Sequence, residues 1–69
     1  QEVLAPLQGG VCAIKVSVGQ KVKKGDVLLL IEAMKLENEV PATVEGIVKE
    51  IKVSTGASVN NGDVLIVLG

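Results

Sequence analysis

Ile14-Lys15-Val16-Ser17, then Gly19, Val22 and Gly25-Asp26-Val27-Leu28, return thirty-seven residues later as Ile51-Lys52-Val53-Ser54, Gly56, Val59 and Gly62-Asp63-Val64-Leu65. The register extends towards the N-terminus, where Glu2-Val3 matches Glu39-Val40, Ala5 matches Ala42, Gly9 matches Gly46 and Val11 matches Val48. Fifteen of the thirty-one positions from 2 to 32 are identical to their mates. Agreement of this kind, with glycines and Gly-Asp pairs in step, is the mark of one supersecondary unit written twice. Two copies are too few to stack as a solenoid, so they are expected to pack on each other about a pseudo-twofold axis. The chain then divides into a first repeat over 2–32, a link over 33–38 and a second repeat over 39–69, within one domain spanning 1–69.

Each repeat reads as strands and turns. Runs rich in β-branched residues and leucine, such as Val11–Val18 and Val27–Ile31, are bounded by Gly9-Gly10, Gly19 and Gly25. Asn61-Gly62-Asp63, the mate of Lys24-Gly25-Asp26, is turn chemistry because Asn and Gly tolerate positive φ without a Cβ clash. An all-β fold follows. Alternation with a period of two places Ile14 and Val16 on one strand face and Val11, Ala13 and Lys15 on the other, with Ile51 and Val53 set likewise against Val48, Glu50 and Lys52. Val27–Ile31 and Val64–Leu68 do not alternate, and such strands are either covered on both faces or show an apolar patch that a partner domain could cover. The second of these is the expectation.

Composition narrows the function. A 69-residue chain buries only about 60% of the surface it exposes when unfolded, so its margin of stability is small. Seven lysines against eight acids, with no arginine, histidine or aromatic residue, leave nothing to stack on a base, and nucleic acid is not an expected partner. No apolar run approaches the ~20 residues of a membrane span, so no direct membrane insertion is expected. The lone Cys12 forms no intramolecular disulfide, which suits a reducing cytoplasm. Its mate at the repeat offset is Lys49, so Cys12 is expected near the surface as a small strand residue. The opening Gln1-Glu2-Val3, without an initiator Met, suggests a piece excised from a longer polypeptide or a chain trimmed after synthesis.

An ordinary active site has no material here. Histidine is absent, no glycine-rich phosphate loop leads into a helix, and a single thiol cannot supply the ligand cluster zinc requires. The unmatched link remains, Ile31-Glu32-Ala33-Met34-Lys35-Leu36-Glu37-Asn38-Glu39, between two apolar strands.

Glu32-Ala33-Met34-Lys35, followed by an apolar residue and Glu37 and set midway between two similar β units, resembles the biotinyl domain of biotin-dependent carboxylases, decarboxylases and transcarboxylases. Leu4-Ala5-Pro6-Leu7-Gln8-Gly9-Gly10 and Pro41-Ala42-Thr43-Val44-Glu45-Gly46 resemble that family's opening segment and its second copy, so the likeness covers the whole chain. The resemblance implies a flattened β-barrel or sandwich of two four-stranded antiparallel sheets with internal pseudo-twofold symmetry, a barrel-sandwich hybrid. It implies that Lys35 carries biotin through an amide bond in a tight hairpin, with the chain termini at the opposite end, and that Glu32, Ala33, Met34 and Leu36 flank the site and are recognised by the ligase. The family more often has Met after the lysine, and Leu36 nearly conserves its volume and apolarity.

The implied role is that of a non-catalytic carrier. Biotin on Lys35 would shuttle a carboxyl group between active sites, with a biotin protein ligase, a biotin carboxylase and a carboxyltransferase or decarboxylase as partners. The implied setting is cytoplasmic, including attachment to a membrane-bound decarboxylase complex. Two alternatives stand beside this. A lipoyl domain shares the symmetric barrel and hairpin lysine but usually shows Asp-Lys-Ala where this chain has Ala33-Met34-Lys35-Leu36. An unmodified barrel acting as an interaction module is the other.

Overall fold

The computed structural model describes residues Gln1–Gly69, and every regular element in it is a strand: β1 (Glu2–Leu4), β2 (Gly9–Ile14), β3 (Lys21–Val22), β4 (Val27–Ala33), β5 (Leu36–Pro41), β6 (Gly46–Ile51), β7 (Ser58–Val59) and β8 (Val64–Leu68). No helix is long and apolar enough to cross a membrane. The strands form two four-stranded sheets, ordered β1-β8-β6-β3 and β5-β4-β2-β7, and every pairing is antiparallel. Advancing each strand by one repeat turns the first order into the second, so the sheets are related as the duplication predicts. Each sheet draws two strands from either repeat. The copies therefore interleave, and neither closes a sheet without the other.

The core carries the same symmetry. Its buried members pair off at the repeat offset as Val3 with Val40, Ala5 with Ala42, Val11 with Val48, Val22 with Val59, Leu28 with Leu65, Leu29 with Ile66 and Ile31 with Leu68. Val16 alone lacks a fully buried mate, since Val53 packs against the cluster while partly exposed. Backbone bonds outside the strands repeat too. Gly25 N–H donates to Ala42 O at 2.8 Å and Gly62 N–H to Ala5 O at 2.9 Å, which ties the turn of each copy to the other copy. In those turns the Asp26 carboxylate accepts from Lys23 N–H, and the Asp63 carboxylate from Asn60 N–H, both at 2.8 Å. The shared Gly-Asp pair thus supplies a backbone at positive φ and an acceptor that closes the turn.

The strand faces differ from simple alternation. Val11 and Val48 are buried on the same side as Val16, not on the wet face with Lys15 and Lys52. The cause is a bulge. Pairing passes from Val11↔Ile31 to Ala13↔Leu30 and from Val48↔Leu68 to Glu50↔Val67, leaving Cys12 and Lys49 as extra residues, and each extra residue inverts the alternation beyond it. Two further bulges explain the runs that do not alternate. Val27 pairs with Pro41 and Leu29 with Val40, while Val3 pairs with Ile66 and Leu4 with Val64, so Leu28 and Leu65 are unpaired. Leu28 and Leu29 are both buried, as are Leu65 and Ile66, whereas Val27, Leu30, Val64 and Val67 are half-buried. These strands meet one core with a kink in each. They are neither covered evenly on both faces nor spread as an open apolar patch.

Gly9 fixes how closely β2 begins beneath the end of β4. A Cβ there would collide with the Glu32 carbonyl oxygen and would stand 2.7 Å from Ile31 Cγ2. Its mate Gly46 meets the Gly69 carbonyl oxygen at 2.9 Å in the other sheet. The symmetry that relates the sheets thus carries the β4–β5 hairpin onto the chain termini, where Gln1 O accepts from Leu68 N–H at 2.7 Å and the N-terminal amine donates to Leu68 O at 3.0 Å.

Candidate functional site

β4 and β5 pair from Val27↔Pro41 up to Ala33↔Leu36, leaving Met34 and Lys35 as the whole of the connection. Both have positive φ, 54° and 66°. Two consecutive central residues of this kind make a type I′ turn, whose twist matches that of the flanking strands and which favours Asn-Gly. Met and Lys are costly there, because an L-residue in the left-handed region brings its Cβ against the following carbonyl at about 1–2 kcal/mol each. No other non-glycine residue of the chain has positive φ. Strain in the backbone is thus concentrated at the lysine singled out by the sequence.

The strain presents side chains. Met34 is 94% exposed and Leu36 67% exposed, Lys35 is exposed, and Ala33 is half-buried. Met34 and Leu36 thus both present apolar side chains to solvent, one on each side of Lys35 in the sequence. Lys35 Nζ is in no ion pair, the one ion pair of the chain being Lys52–Glu50 at 2.9 Å. Replacing Met34 by Asn relieves one left-handed penalty, and Met34→Asn is expected to stabilise the fold by about 1 kcal/mol, seen as a rise of roughly 5 °C in Tm. An unchanged Tm would show that the turn holds no such strain.

Below the tip the hairpin has two unlike faces. Cross-strand partners share a face, so Glu32 stands opposite Glu37 and Leu30 opposite Glu39, with all three glutamates exposed. Like charges directly opposite push the strands apart. On the other face lie buried Ile31, half-buried Asn38 and Ala33, and exposed Leu36. The Asn38 side-chain amide donates to Ile31 O and to Leu36 O, each at 3.3 Å, and so bridges the two strands.

Cys12 is half-buried on its bulge, where its thiol lies 3.5 Å from Leu30 O and 3.7 Å from Glu37 Oε2. Partial burial, and then the Glu37 carboxylate, push the thiol above its ordinary range, with Glu32 adding to the effect. A thiol held protonated is a poor nucleophile. The link residues Glu32, Ala33, Met34, Lys35 and Leu36 are thus brought together at one tip, while Asn38 and the contact of Cys12 with Glu37 were not foreseen. A polar residue at an inward register position, two before buried Val40, was the available signal for Asn38.

A family model described as biotin-requiring enzyme matches residues 1–68. The methylmalonyl-CoA decarboxylase subunit gamma of Veillonella parvula is 50% identical over 40 residues, which are 58% of this chain and 31% of that one. The glutaconyl-CoA decarboxylase subunit gamma of Acidaminococcus fermentans is 50% identical over 38 residues, 55% of this chain and 26% of that one. The match thus spans under a third of the length of these curated relatives. Among solved structures, the urea carboxylase of Kluyveromyces lactis superposes with a TM-score of 0.94 at 33% identity, covering 100% of this chain and 6% of that protein. With residues 1–68 of the chain matched by the family model and the two interleaved sheets in place, the chain belongs to the biotin-requiring enzyme family, as a biotinyl domain of the carboxyl-carrier type.

Proposed function

We propose that residues 1–69 form a single carrier domain on which the Lys35 amine is the point of biotin attachment. The observation that carries this reading is the tip itself. One exposed amine stands on a two-residue turn whose backbone is strained outward, midway between the two copies. In the attachment step the deprotonated Lys35 amine attacks the carbonyl carbon of an activated biotinyl adenylate. An amide C–N bond forms, the C–O bond to AMP breaks, AMP leaves as the anion and the remaining ammonium proton passes to solvent. A free lysine amine is protonated at neutral pH, so deprotonation and the adenylate both belong to a separate ligase. Glu32, Ala33, Met34 and Leu36 make the surface against which that ligase docks.

When bound, biotin supplies a ureido nitrogen that takes up a carboxyl group at one active site and releases it at another. The chain's own contribution is placement. A tethered amine meets each site at an effective concentration set by its linkers, often millimolar, so docking is weak and reversible. A stiff two-sheet base presents the lysine without an ordering cost at each visit. The chain brings no catalytic group of its own to the chemistry; its partners are a biotin carboxylase and a carboxyltransferase or decarboxylase in the cytoplasm or at its membrane face. Decarboxylase gamma subunits and a urea carboxylase stand together among the relatives, in keeping with a parent of either kind.

Intact mass of the protein co-expressed with biotin and lipoate ligases, both cofactors supplied, is expected to show one biotinyl adduct, which peptide mapping locates on Lys35. A lipoyl adduct alone, or biotin on another lysine, would overturn the reading.

A further inference from the structure

Two features of the hairpin act to open it. Met34 and Lys35 hold a left-handed backbone that neither residue favours, and the Glu32 and Glu37 carboxylates face each other directly beneath them. The core does not oppose this, because the last fully buried side chains of the hairpin are Ile31 and Val40, and everything beyond them is half-buried or exposed. Between that core and the tip, one β5 side chain makes two bonds, of which one crosses to β4. Asn38 Nδ2 donates to Ile31 O on the facing strand and to Leu36 O, the first carbonyl after the turn, both at 3.3 Å. The bond across to Ile31 O is part-buried and so partly shielded from competing water, while the bond to Leu36 O is exposed. The bond to Leu36 O holds the Leu36–Glu37 peptide, one residue beyond Lys35, and so restrains the strand into which the turn runs.

We propose that Asn38 is a positioning residue for the modification of Lys35: its side-chain amide clamps the two strands below the turn and holds the amine in the geometry that attacks the activated acyl donor. This rests on Lys35 being the attachment point. Asn38 touches neither the amine nor the donor. Its effect falls on the fraction of encounters in which the amine is aligned, and small misplacements of a reacting group cost rate steeply. The contacts by which a ligase recognises the tip, Met34 and Leu36 among them, keep their side chains whatever stands at 38. The effect is therefore expected in kcat and not in KM.

The experiment compares the chain with its Asn38→Leu and Asn38→Gln variants. Leucine keeps the volume and removes both donors; glutamine keeps the amide on a longer stem. Three quantities are read: the steady-state kinetics of biotinylation by a biotin protein ligase with ATP and biotin, hydrogen exchange at the backbone amides of residues 33–37, and the melting temperature. For Asn38→Leu we expect kcat to fall about tenfold with KM changed less than twofold, and exchange at the turn to quicken about tenfold while the core strands keep their protection. Asn38→Gln recovers part of both. A variant that is folded at the assay temperature and shows wild-type kcat with unaltered turn exchange overturns the proposal, as does a loss of protection spread evenly over the core. If the unaltered protein takes no biotin on Lys35, the attachment reading fails. Exchange at residues 33–37 then still decides whether Asn38 is the clamp.

Discussion

Lys35→Arg is expected to take up no biotin, at least ~1000-fold below the unaltered chain, with its Tm within a degree or two of the original. The guanidinium is planar, delocalised and effectively never deprotonated, so it has no lone pair with which to attack an acyl donor. Its stem, charge and backbone demands otherwise resemble those of lysine. The position is exposed and free of ion pairs, so the fold loses nothing measurable, and arginine meets the same left-handed penalty at φ 66°. This makes arginine a cleaner probe than glycine, which would relax the turn and change stability together with chemistry. An avidin blot after co-expression with a biotin ligase, alongside a thermal melt, reads both halves. Avidin reactivity equal to that of the parent chain would remove Lys35 from the mechanism.

The second large effect belongs to the core. Leu28→Ala and Leu65→Ala each empty a fully buried leucine site at a bulge, and each is expected to cost about 3 kcal/mol, or roughly 15 °C in Tm. For a domain of this size the total stability is about 3–10 kcal/mol, so either variant sits close to unfolding. The sharper expectation concerns their equality. The two leucines are mates in the repeat, inserted at equivalent bulges in opposite sheets, and their costs are expected to agree within about 1 kcal/mol. Chemical denaturation of both variants measures this. A large inequality would show that the two halves, alike in topology, are packed to different tightness.

The duplication was legible in the sequence because it lies in identity at a fixed offset, and the sheet orders and paired core follow it residue for residue. The bulges were not. Whether Val11 faces in or out depends on Cys12 being skipped by the facing strand, and that is a property of cross-strand register to which no local period points. The tip was legible for a different reason. Turn chemistry favours Asn61-Gly62 and disfavours Met34-Lys35, so local rules direct attention away from the β4–β5 hairpin. The repeat boundary and the resemblance around Glu32-Ala33-Met34-Lys35 direct attention to it. The Asn38 clamp was hidden because its partners are main-chain carbonyls, which every sequence possesses.

The interleaving of the two sheets bears on the order of events during synthesis. β1 pairs only with β8, β2 needs β7 as well as β4, and β3 waits for β6. The first strand of the domain thus has no neighbour until its eighth has been made, and contacts of such long sequence separation form late and together. The β4–β5 hairpin is the local exception, yet the base that stiffens it is complete only after β8 is made. A partner that requires a rigid tip would therefore meet one only once all eight strands of the domain have been made and packed.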